Sequence, residues 1–168
     1  AEPGDDLIFA ADLSGQVGCS SVTSWDANSG KTTEELLFRL ETLPLIAEHE
    51  WACTCKDVSN AGLLGTLSIM MENSGTGALI DLDAIPCPAP LELSQWLLSF
   101  QSFGFILSAQ PEFSAHIIGL FKERGIDAAV VGKVLDGHTV TVTDGSESQK
   151  LFDFERDQIT GITRGPGV

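Results

Sequence analysis

Short apolar runs of strand length alternate along this chain with stretches whose apolar residues recur every three or four positions. Residues 7–11, LIFAA, form a continuous apolar run closed by Asp12-Leu-Ser-Gly15, a turn-forming group. Residues 16–31 are rich in Gly, Ser and Asn and read as a long polar loop, with Trp25 as its anchor to the body. Thr32-Thr-Glu-Glu35 has the spacing of a capping box, so a helix is predicted to start at Thr32 and to carry Leu36, Leu37, Leu40 and Leu43 at helical spacing. Pro44 is expected to end or kink it. A strand is predicted over 51–58, a helix over 61–72 stopped by Asn73-Ser-Gly75, and a half-buried strand over 78–83. Pro86, Pro88 and Pro90 make a stiff crossing into a helix over 91–99, followed by a strand over 103–109. Pro111 opens a helix over 112–124 that Gly125 closes. Strands over 128–134 and 139–143 flank Asp136-Gly137, a hairpin signal; residues 151–154 suit an edge strand, and 161–168 a frayed tail.

The order predicts an α+β fold, a mixed β-sheet with packed helices, related to split βαβ arrangements. A chain of 168 residues is read as a single domain, 1–168, with its core over about 5–155. No apolar run is long enough for a membrane helix. Ala1-Glu-Pro-Gly4 reads as a linker that enters a strand at once, the form of a domain cut from a longer polypeptide, and no apolar signal segment argues for export. Cytoplasmic location is expected.

Charge narrows the partners. Nine Lys and Arg against 24 Asp and Glu give a net charge of −15, a field that repels nucleic-acid backbones and anionic membrane surfaces. A phosphate-bearing ligand would need its positive charge from a divalent cation, a helix N-terminus or another chain. Cys53 and Cys55 share one face of a strand, about 6.5 Å apart along it, a poor disulfide geometry, and all four cysteines are expected as buried free thiols. No cysteine or histidine pair has metal-ligand spacing, so no metal site is expected; His49, His116 and His138 are too scattered for a catalytic set. Asp81 and Asp83, two apart on a strand, share a face that is either a solvated surface or part of a Mg2+ site.

The most informative stretch runs from Lys56 to Gly65, KDVSNAGLLG. A strand ends in Lys56 and Asp57, and a turn through Ser59 and Asn60 enters a helix whose start carries Gly62. Free N–H groups at such a start attract anions, and small residues admit a ligand to the backbone. The competing reading is that Asp57 or Ser59 caps the helix while Gly62 and Gly65 allow close packing on the sheet. A second candidate, Ser102 with Gly104, sits where a helix hands over to a strand; its alternative is a tight loop with flanking Phe in the core.

KDVSNAGLLG, then ENSGTG at 72–77 and IDLDAIP at 80–86, with Ser102-Phe-Gly104 and residues 125–132, resembles the C-terminal domain of aminoimidazole ribonucleotide (AIR) synthetase-related proteins. That superfamily includes selenophosphate synthetase, thiamine-monophosphate kinase, the formylglycinamide ribonucleotide amidotransferase and a hydrogenase-maturation protein. The resemblance spans residues 50–135, with 7–13 as the opening strand. It implies an α/β sandwich partly like a ferredoxin fold, closing the small-molecule substrate cleft against an N-terminal domain of the same polypeptide. That domain would bind Mg-ATP and form the homodimer, leaving this one without a cofactor of its own and inactive alone. Lys56, Asp57, Ser59, Asn60, Gly62, Ser102 and Gly104 would face the substrate. Many members carry an acidic residue or Gly where Asn60 and Ala61 stand. The alternative reading is a non-catalytic ligand-binding or regulatory module. A domain that a partner covers is expected to expose an apolar patch.

Overall fold

The computed structural model of the chain describes residues 1–19 and 23–162. In chain order the strands are β1 (Asp6–Ala11), β2 (Gln16–Val17), β3 (Ser24–Asp26), β4 (Thr54–Asp57), β5 (Gly77–Asp81), β6 (Phe100–Gln101), β7 (Gly104–Ala109), β8 (Asp127–Leu135), β9 (Thr139–Thr143) and β10 (Ser148–Asp153). The helices are α1 (Thr33–Leu40), α2 (Thr42–Glu48), α3 (Gly62–Ser74), α4 (Leu93–Leu98) and α5 (Pro111–Glu123).

The apolar run LIFAA needs both of its faces covered, because alternate residues of a strand point to opposite sides. The fold provides this by placing β1 inside a seven-stranded sheet of order β10-β9-β5-β8-β1-β7-β4, antiparallel throughout except for the parallel β5–β9 pair. Phe9 packs on Trp96 of α4, with ring centroids 6.2 Å apart. Asp6, on the opposite face, accepts from Ser114 of α5 at 2.7 Å and from Lys133 of β8 at 2.7 Å. Helices therefore cover both sides, and all of β1 is buried. β7–α5–β8 is a split βαβ unit with β1 between its strands.

Several local signals hold. Thr32 and Glu35 make the reciprocal capping box, with the Thr32 N–H donating to Glu35 at 2.7 Å and the Glu35 N–H to Thr32 at 3.2 Å. Trp25 is buried and its indole N–H donates to the Asp12 carbonyl at 2.8 Å, anchoring the polar loop as expected. Pro111 opens α5, and β10 forms the expected edge.

Others are overturned. Asp136-Gly137 turns the chain, but β8 and β9 are not partners: β5 lies between them. The turn crosses the start of β5 at Gly77, where a Cβ would come within 2.6 Å of the Thr139 carbonyl oxygen. The helix that starts at Thr32 does break ahead of Pro44, at Glu41, and resumes as α2 with Pro44 in its first turn, where its missing N–H is not needed. The long loop contains β2 and β3, which with β6 build a small three-stranded sheet. Asp83 lies beyond the strand in a 3-10 turn and its N–H donates to Asp81 at 3.0 Å, so the two carboxylates share no strand face. Cys19, Cys53 and Cys55 are exposed and Cys87 half-buried, not buried thiols. β4 is a terminal strand, so Cys53 and Cys55 look onto a groove instead of a core. Desolvation by the groove walls, aided by the Asp57 charge, pushes the Cys55 thiol up to about 11.

Of the expected tail, residues 163–168 lie outside the described residues. Just before them the chain folds back on α3: the N–H groups of Ile159 and Thr160 each donate to Glu72 at 2.8 Å, and the Thr160 hydroxyl adds a third bond. Led by the Thr160 hydroxyl, these bonds hold the Glu72 carboxyl down at about 2, against an ordinary 4.5. A depressed folded-state pKa contributes stability above the ordinary value and loses it as pH falls toward the folded one. We expect this strap to be anchored above about pH 4.5 and to loosen between pH 4.5 and 2. A 15N NMR titration of the Thr160 amide checks it: Glu72→Gln should remove the acid step and leave that amide in an unanchored environment already at neutral pH.

Candidate functional site

β1 and β4 run toward the end of the sheet at which β7 and β8 begin. At that end β4 stops at Asp57 and the chain turns, through a cis Asn60–Ala61 peptide bond, into α3. The second candidate loop meets the first there, backbone to backbone: Val58 N–H donates to the Gly104 carbonyl at 2.9 Å, and Gln101 N–H to the Val58 carbonyl at 3.1 Å. Lys56, Asp57, Ser59, Asn60, Gly62, Ser102 and Gly104 are thus gathered at one end of the domain, although their stretches are some forty residues apart in sequence.

Their individual roles differ. Asp57 is exposed, and among the described residues its ion pair is a long one, with Lys56 at 4.0 Å. Ser59 is engaged through its backbone: its N–H donates to Thr66 Oγ1 at 3.2 Å, and its carbonyl accepts from Gly62 N–H at 2.7 Å. The N-cap of α3 is Ala61, with no side-chain hydrogen bond, so neither Asp57 nor Ser59 caps the helix. The Ser59 carbonyl takes the Gly62 N–H, and no side chain caps the helix start, the arrangement that favours an anion or polar ligand. Asn60 is exposed in the turn. Gly62 has φ +78°, and a Cβ there would collide with the carbonyl oxygen of Leu97. Its glycine serves a close contact between α3 and α4, rather than the packing on the sheet that the competing reading expected.

Ser102 holds structure together: its hydroxyl oxygen accepts from Ala27 N–H at 2.8 Å and its carbonyl from Asn28 Nδ2 at 3.0 Å. Gly104 leaves room for the side chain of Gln101, which is buried while both polar atoms of its amide lack a hydrogen-bond partner among the described residues. Buried amides are nearly always paired, so this one stands out beneath the site.

Sequence reasoning missed the charged node beside these loops. Asp12, at the end of β1, has a side chain only 1% exposed, paired with Lys31 at 3.0 Å and with Arg39. It also accepts from the Ser14 N–H at 2.9 Å and the Ser14 hydroxyl at 2.6 Å. Burial raises the carboxyl pKa, but the bonds from Ser14 and Lys31 and the charge of Arg39 outweigh it and leave the group below its ordinary value. Lys31 and Arg39 are two of only nine cations, and they bracket the capping box; that scarcity was the available signal.

The same end carries apolar side chains without cover. Leu98, 59% exposed, follows the α4 backbone that Gly62 touches, and Phe100 is 40% exposed. α1 has no buried residue; Leu37 and Phe38 are more than half exposed, and Arg124 lies 4.9 Å above the Phe38 ring. These residues form the apolar exposure expected of a domain that a partner covers.

Residues 2–145 match the family model for the AIR synthase related protein, C-terminal domain. The chain belongs to this family. An uncharacterised protein of Synechocystis is 39% identical over 163 residues, 97% of this chain and 51% of its own length. One from Methanocaldococcus jannaschii is 35% identical over 161 residues, 96% of this chain and 50% of its length. The domain therefore spans about half of these relatives. Among solved structures, Thermotoga maritima phosphoribosylformylglycinamidine synthase II superposes with a TM-score of 0.73 at 18% identity, over 90% of this chain and 25% of that one. Escherichia coli HypE superposes with a TM-score of 0.64 at 15% identity, over 96% of this chain and 53% of its own. These likenesses establish the α+β fold of the family's C-terminal domain. Both proteins are larger than the part that matches. No helix among the described residues is long and apolar enough to cross a membrane.

Proposed function

We propose that this domain is the substrate-side half of an ATP-dependent enzyme, closing a cleft against a preceding half of the same polypeptide. One observation carries the reading: the uncapped start of α3, both polar loops and the uncovered apolar residues Leu98 and Phe100 coincide at one end of the sheet. A helix start that merely ended a strand would have no reason to be ringed by exposed Leu and Phe. T. maritima PurL has been solved in complex with ATP and with FGAR. For this chain these complexes support a cleft that takes a nucleotide and a small-molecule substrate.

The residues present do not fit a Mg-ATP site. Among the described residues no three His, Cys, Asp or Glu side chains converge, and Lys56 already lies beside Asp57. With a net charge of −15, the domain is poorly suited to hold a triphosphate. We assign Mg-ATP, and the homodimer contact, to the preceding half. This domain's own part is to bind and orient: the first-turn amides of α3 and Lys56 would face an electron-rich group of the substrate, and Asp57 and Ser59 its donors.

The test is phosphate release by the full-length protein with Mg-ATP and a panel of amides, amines and carboxylates. Stimulation of at least tenfold by one substrate class is the expected result, with residues 1–168 alone inactive. Turnover by residues 1–168 alone, or no turnover by the full-length protein with any class, would overturn the reading; ligand binding without turnover would favour a regulatory module.

A further inference from the structure

We propose that in the full-length protein the residues immediately preceding Ala1 lie as an added strand along the free edge of β4, filling the apolar groove between that edge and α2. The inference rests on the function proposed above, which puts the preceding half at the helix-start end of the sheet. Ala1 lies at the other end: its amino nitrogen is 3.1 Å from Ser74 Oγ, at the last residue of α3. α3 has 13 residues, so the chain must cover about 20 Å between the two ends, the length of such a helix. About six extended residues span that distance.

A prepared route exists. β4 ends the seven-stranded sheet, and among the described residues no strand pairs with its outer edge. A groove of about 470 Å³ runs beside it, walled by Leu43, Ile46 and Ala47 on one side and Cys53, Cys55 and Leu107 on the other. Its Cys53 end adjoins the recess lined by Ala1 and Ser74, so the groove leads to the point where the earlier residues join. Along β4 the residues beside the groove, Thr54 and Cys55, are uncharged; the charges lie at the two ends, Asp5 beside Cys53 and Lys56 with Asp57 at the helix-start end. A segment descending from the helix-start end to Ala1 runs antiparallel to β4, the direction that suits backbone pairing on an open edge. Relatives of twice this length, and a family model that is the C-terminal domain, supply the occupant.

The test uses the full-length protein with Cys19→Ser and Cys87→Ser, and a single cysteine placed at the second or the fourth residue before Ala1. Under mild oxidation one of these should form an intramolecular disulfide with Cys53 or Cys55, in native buffer and not in urea. Hydrogen exchange should show the outward-pointing amides of residues 54–57 protected. Ala47→Arg, which fills the groove from an exposed position, should speed their exchange at least tenfold. Unprotected outward amides with no intramolecular bond would overturn the proposal, as would a disulfide between two chains, which would make a second copy the occupant. Turnover without the bond would sink the docking alone, whereas the bond without turnover would sink only the enzymatic reading.

Discussion

Asp12→Ala is expected to destabilise the domain by about 3 kcal/mol, because removing one partner of a buried ion pair leaves the others desolvated and uncompensated. The carboxylate is 1% exposed, and the two cations that face it are each 16% exposed, so neither can recover full hydration without moving. Lys31 keeps its bond to the Ala27 carbonyl and a weak one to Ser14 Oγ at 3.5 Å, whereas the Arg39 guanidinium loses its bond to Asp12. For a domain of this size the cost corresponds to a fall in Tm of roughly 10 °C. Asp12→Asn should recover little, since its amide would turn N–H donors toward two cations. Arg39→Ala combined with Asp12→Ala should cost less than the sum of the single changes, because the second removal relieves the charge that the first leaves unpaired.

The pH dependence follows from the same contacts. The folded-state pKa of Asp12 lies below its ordinary 3.8, so its stabilisation is complete above about pH 4 and fades as the pH falls through the lower folded value. The acid limb of unfolding should therefore shrink in Asp12→Ala. Thermal unfolding followed by circular dichroism between pH 3 and 7 measures both effects. A Tm unchanged at neutral pH would mean that the loop and α1 are held without the node.

The parts of this fold that could be read from sequence are those whose cause is local. LIFAA at 7–11 needs two covered faces whatever surrounds it, and the fold puts it inside the sheet. The Thr32–Glu35 box and Pro111 act within a turn of their own positions. What escaped was decided by strands distant in sequence. Asp136-Gly137 carries hairpin chemistry, yet β5, more than fifty residues earlier, inserts between the two strands it joins. Cys53 and Cys55 alternate as on any strand, and only the sheet order makes theirs an edge. Glu72 sits at a helical position like any core-facing residue, and its partners arrive from residues 159–161. For the candidate site, sequence identified the loops but not the division of labour within them: Gly62 and Ser102 serve packing and loop anchorage, while Asp57 stays exposed and no side chain caps the start of α3.

That division gives the sharpest test of the site. In the full-length protein Asp57→Ala is expected to lower kcat/KM by about a hundredfold, or roughly 2.7 kcal/mol of transition-state stabilisation, while leaving Tm within about 1 °C. The side chain can be removed without structural cost: it is 67% exposed, caps no helix and has only a 4.0 Å approach to Lys56. A pair so exposed and so long contributes almost nothing to stability. Ser59→Ala should behave in the same direction with a smaller effect, about tenfold for one neutral hydrogen bond to substrate, because the backbone bonds of Ser59 to Thr66 and Gly62 survive the change. Ser102→Ala supplies the contrast. Its hydroxyl oxygen accepts from the Ala27 N–H, so its loss should lower Tm together with activity. If Asp57→Ala lowered Tm and activity in parallel, as Ser102→Ala does, the helix start would be a structural turn and the substrate would have to be sought elsewhere on the domain.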